Sequence, residues 1–79
     1  MKAKVTVMPK SGVLDPEGRA IAQALGSLGF AGVEDVRAGK VIELSLAETD
    51  PERARAQAEE MARKLLANSV IESFRVELV

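Results

Sequence analysis

Apolar and polar residues alternate from Lys2 to Met8, with Ala3, Val5 and Val7 on one side and Lys2, Lys4 and Thr6 on the other. A period of two rich in β-branched residues predicts a half-buried strand. Pro9 cannot donate to a ladder and ends it. The period then changes: Ile21, Leu25 and Leu28 fall at i, i+4 and i+7, with Ala24 beside them, predicting a helix over Pro16–Leu28. Asp15 is placed to accept from free N–H groups of the first turn, Pro16 suits the first helical position, and Glu17 meets the positive end of the helix dipole. Gly29 reads as a left-handed C-terminal cap. Gly26 would permit close packing on the sheet, and Phe30 would plug the core beyond the helix end.

Val33–Ala38 and Val41–Leu46 read as two strands joined in a hairpin at Gly39-Lys40. Ile42, Leu44 and Leu46 share one face. Val33 and Val36 cannot do so without a bulge, so the first of the two strands reads as a charged edge. Thr49-Asp50-Pro51-Glu52 repeats the earlier helix start: Asp50 caps ahead of Pro51, or Thr49 forms a capping box with Glu52. This helix runs to about Ala67 and buries Ala54, Ala58, Met61, Ala62, Leu65 and Leu66. Arg55–Glu59, Glu59–Arg63 and Glu60–Lys64 have the spacing of ion pairs along it. Asn68 suits a left-handed terminal position, and Val70–Val79 forms a last strand with Phe74, Val76 and Leu78 on one face. The order β-α-β-β-α-β predicts an α+β, ferredoxin-like fold of one domain spanning residues 1–79. It has a four-stranded antiparallel sheet, and right-handed crossovers place both helices on one face. The other face, with Lys4, Thr6, Glu43, Ser45, Arg75 and Glu77, is either solvated or a subunit interface.

Length changes this picture. A chain of 79 residues buries only about 60% of its unfolded surface and is marginal alone, so self-association as a homodimer or tetramer is expected. There is no cysteine and no histidine, which excludes disulfides, the usual zinc ligands and the usual general base. A net charge of −1 with interspersed signs gives no nucleic-acid or anionic-membrane footprint. RNA recognition modules share the topology but stack bases on aromatics of the central strands. Here Val5, Val7, Leu44 and Leu46 stand there, and the only aromatics are Phe30 and Phe74. Met1–Met8 lacks a signal-peptide core, and no apolar run approaches the ~20 residues of a membrane span. The expectation is a cytoplasmic protein.

Candidate chemistry is sparse. Ser11, Ser27, Ser45, Ser69 and Ser73 lack a histidine or cysteine partner, and Lys10 beside Ser11 reads as a solvated turn residue. Glu34 and Asp35 point to opposite faces of a strand, and Glu59 and Glu60 do not face each other on a helix. No catalytic, cofactor-binding or metal-ligating residue is expected. Lys10-Ser11-Gly12 and Arg37-Ala38-Gly39-Lys40 could each hold an anion through cationic side chains and loop N–H groups. Neither has the spacing of a P-loop or dinucleotide fingerprint. Arg37 with Lys40 is the preferred pair, for an anion or a carboxylate on a partner protein. Val13 and Leu14, apolar within a loop, either close the end of the core or meet a partner.

Four blocks in fixed order also carry a resemblance: Gly12-Val13-Leu14-Asp15-Pro16, Leu28-Gly29-Phe30, Val36-Arg37-Ala38-Gly39-Lys40 and Leu65-Leu66-Ala67-Asn68-Ser69-Val70-Ile71-Glu72. Together they resemble the PurS family, small subunits of phosphoribosylformylglycinamidine synthase, almost end to end. The resemblance implies an accessory subunit of purine biosynthesis. Such a subunit pairs with itself and bridges a large ATP-dependent synthetase subunit and a glutaminase subunit, supporting ammonia transfer between them. ATP and Mg would be used by the complex and not bound by this chain. Val13, Leu14, Arg37 and Lys40 are then the expected partner contacts. The alternative is a free-standing ACT-like domain binding a small ligand where two copies meet.

Overall fold

The computed structural model describes residues 1–79. Strand β1 (Lys2–Pro9) is followed by helix α1 (Pro16–Ser27), strand β2 (Lys40–Ser45), helix α2 (Pro51–Met61) with a wider last turn at Ala62–Leu66, and strand β3 (Glu72–Leu78). The sheet has three antiparallel strands in the order β2-β1-β3. Val5 stands opposite Ile42 on one side and Val76 on the other. Alternation along β1 works as expected: Ala3, Val5 and Val7 are fully buried, while Lys2 and Lys4 turn outward.

The expected four-stranded sheet is not formed. Residues 33–38 are irregular, no hairpin forms at Gly39, and Lys40 already belongs to β2. The physical reason lies in their pattern and their partners. Val33 and Val36 cannot occupy one strand face, and the backbone here is recruited elsewhere: the Ala38 N–H donates to Asp15 Oδ2 at 2.8 Å. The Val36 carbonyl lies so close to Gly18 that a β-carbon there would collide with it. The segment thus braces the start of α1 and leaves the outer edge of β2 open.

Helix α1 starts and stops as its caps dictate. Gly18 N–H donates to Asp15 Oδ1 at 3.0 Å, with Pro16 in the first turn. At the other end Phe30 N–H reaches the Leu25 carbonyl (3.0 Å) and Gly29 N–H the Gly26 carbonyl (3.1 Å), with Gly29 at φ 99°. That pair of bonds is a Schellman stop. Yet α1 does not lie on the sheet. Its apolar stripe exists without a partner: Ile21 is exposed, Leu28 is 73% exposed, and Phe30, expected to plug the core, is 59% exposed. Gly26 has open space around it and contacts no sheet.

Only α2 covers the sheet. Ala54, Ala58 and Ala62, four residues apart, are fully buried, and small side chains let the helix approach closely. The Arg55 guanidinium donates to the Val76 carbonyl at 3.1 Å, fastening α2 to β3 instead of pairing with Glu59. The Glu59–Arg63 and Glu60–Lys64 pairs do form, at 3.8 and 2.7 Å. Asp50, not Thr49, provides the cap, accepting from Glu52 N–H at 3.4 Å. The last turn widens to an i→i−5 pattern, with Ala67 N–H bonded to the Ala62 carbonyl at 2.9 Å. Leu66 then turns inward, whereas Met61 and Leu65 are exposed. Asn68 is not left-handed. Its side chain accepts from Val70 N–H at 3.1 Å in a turn that delays β3 to Glu72. No helix is long and apolar enough to cross a membrane.

Candidate functional site

The largest concavity is an open cleft of about 450 Å³ between the β1–α1 loop, the first turns of α1 and residues 35–37. Its shape follows from the local sequence. Pro9 ends β1, and the Val13 N–H closes a turn on the Lys10 carbonyl at 3.1 Å. Gly12 sits third in that turn at φ 83°, where a side chain would be strained. Asp15 then anchors both walls, one carboxylate oxygen on Gly18 N–H and the other on Ala38 N–H. These two backbone bonds, the Gly18 bond first, hold its carboxyl below the usual carboxylate range, and nearby Arg37 lowers it further against the opposing effect of burial.

The cleft gathers three of the four expected contact residues. Val13, half-buried, Leu14, 66% exposed, and Arg37 line it together. Lys40 is not among them. It lies in β2 opposite Val7, so the Arg37–Lys40 pairing expected from sequence is split between the cleft and the sheet. The first basic segment is brought in instead, since Lys10, Ser11 and Gly12 form one rim. Arg19, which sequence reasoning passed over, completes the lining. Its signal was available, because it follows the capping Asp15 by four residues and so stands one turn above the loop.

Charge in the cleft is unevenly matched. Lys10, Arg19 and Arg37 meet Asp15 and Asp35. Neither arginine is in an ion pair, and neither guanidinium donates to the protein. Lys10 donates to the neutral Ser69 carbonyl at 2.7 Å, which leaves its charge uncompensated. No nucleophile–base pair stands here, and no group of three or more acidic side chains is arranged to hold a metal ion.

The sequence matches the PurS family, described as phosphoribosylformylglycinamidine (FGAM) synthase, over residues 2–79. It is 42% identical over 77 residues to the PurS subunit of phosphoribosylformylglycinamidine synthase from Methanocaldococcus jannaschii, covering 98% of this chain and 93% of that protein. The Bacillus subtilis PurS subunit is 46% identical over 77 residues, covering 98% and 90%. The crystal structure of the M. jannaschii protein superposes with a TM-score of 0.84 at 43% identity, covering 96% of this chain and 92% of that one. A chain in the structure of PurLQS from Thermotoga maritima superposes with a TM-score of 0.87 at 29% identity, covering 99% and 95%.

Proposed function

The chain belongs to the PurS family, and on that premise we propose that it is the small subunit of phosphoribosylformylglycinamidine synthase in purine biosynthesis. The match from residue 2 to residue 79 carries this reading. The chain acts in the cytoplasm as a non-catalytic subunit of a glutamine-dependent ligase. It pairs with itself and bridges the large synthetase subunit, which uses ATP and Mg, and the glutaminase subunit, so that ammonia passes between their sites. One feature supports an assembly role: α1 presents an apolar face with nothing on it. Val13, Leu14 and Arg37 at the cleft and Lys40 on β2 are the contacts proposed for partner chains. The ACT-like alternative loses its motive once the family is known.

Glutamine-dependent formation of formylglycinamidine ribonucleotide by the large and glutaminase subunits, with and without this chain, tests the assignment. Synthesis that depends on the added chain, together with co-elution of all three, is the expected outcome. Full activity in its absence and no co-elution would overturn it.

A further inference from the structure

Two arginines with no protein partner line one cleft. Free guanidinium groups on a surface are ordinary. Here, however, Arg19 comes from α1 and Arg37 from the irregular segment, and the bonds that Asp15 Oδ1 and Oδ2 accept from Gly18 N–H and Ala38 N–H tie their backbones together. The rim between them offers further donors, since the Ser11, Gly12 and Leu14 N–H groups have no backbone acceptor while Val13 N–H closes the turn. Each Asp15 carboxylate oxygen accepts one backbone N–H, and the carboxylate lies close enough to Arg37 to offset part of its charge, which leaves Arg19 and Lys10 as the less compensated cations. Asp35 is the other acid on the wall and is held in no ion pair.

We propose that this cleft binds a phosphoryl group of a small molecule through the Arg19 and Arg37 guanidinium groups, with Lys10 and the Ser11–Gly12 N–H groups at its rim. A phosphate presents at least three charged or polar oxygens, enough for two guanidinium forks and a loop N–H, and charge-assisted bonds of this kind are the strong ones. A lone carboxylate, with two oxygens, satisfies one fork and leaves the other free. At about 450 Å³ the cleft has room for more than the phosphate itself. Arg37 is shared with the contacts proposed for partner chains, but binding is read on the chain without its partners, so failure of this site and failure of the subunit assignment are distinguishable.

The test is a titration of the isotope-labelled chain with inorganic phosphate, followed through the backbone amides of residues 11–14 and the side-chain Nε–H signals of Arg19 and Arg37. Ionic strength is held constant with chloride, and glutamate serves as the carboxylate arm. Saturable shifts confined to these signals are expected. Arg37→Gln and Arg19→Gln should each weaken binding by about tenfold or more, the worth of one charge-assisted bond. Arg37→Lys keeps the charge but loses the fork and should give a smaller loss. Asp35→Asn removes the opposing charge and should tighten binding several-fold, and Lys2→Gln, at the far end of β1 from the cleft, should leave it unchanged. Equal shifts with chloride, tighter binding of glutamate than of phosphate, or indifference to both arginine variants would each overturn the proposal.

Discussion

Asp15 joins two stretches of chain that are 23 positions apart. One carboxylate oxygen caps α1 through Gly18, and the other holds Ala38 beside it. Removing the side chain therefore loosens a helix end and a loop together, a larger effect than loss of an isolated cap. Asp15→Ala should lower the melting temperature at pH 7 by about 5 °C or more. The pH dependence has a definite sign. With its folded-state pKa below the ordinary value, the ionised carboxylate contributes fully above about pH 4 and loses that contribution as pH falls towards the folded value. Melting curves of the two proteins should thus converge in acid. A gap that stays constant down to pH 2 would mean that the ionised form is not what the walls bind.

Helix α1 contains two interior glycines with opposite demands. Alanine usually stabilises a helix by about 1 kcal/mol over glycine. Gly26→Ala should show that gain, since its surroundings are open. At Gly18 a β-carbon would strike the Val36 carbonyl and the Asp15 carboxylate, so Gly18→Ala should destabilise by about 1–3 kcal/mol despite its better propensity. Chemical denaturation of both variants decides the matter, and a gain at Gly18 would show that residues 36–38 yield easily. The same contrast explains what could be read in advance. Caps and periods are local: Asp15, Asp50, Gly29 and the β1 alternation are where the pattern places them. Strand pairing is not local. Nothing in Val33–Ala38 announces that its backbone would serve Asp15 and the approach to Gly18 instead of a ladder on β2. The apolar stripe of α1 was legible too, but what it meets was not, because a stripe states only that burial is wanted. For the cleft, the Lys10 and Arg37 segments stood out separately, and only the fold brought them together and put Lys40 apart.

The molecule is long and thin, 48 × 24 × 14 Å, with a radius of gyration of 15.8 Å. A compact chain of this length would have about 12 Å. Only 9 of 79 residues are buried, and the largest fully buried side chains are Val5 and Val7. One helix on a three-stranded sheet leaves Ile42 and Leu44 on β2 only half covered, while the stripe of α1 projects free. A second copy could supply what each lacks. The arm formed by α1 has a consequence for what a melting experiment measures. If folded structure is completed only on association, unfolding is also dissociation, and dilution alone favours the unfolded chain by mass action. The midpoint should climb steadily as the sample is made more concentrated over a hundredfold range. A midpoint indifferent to dilution would mean that the chain is self-sufficient with its helix standing free.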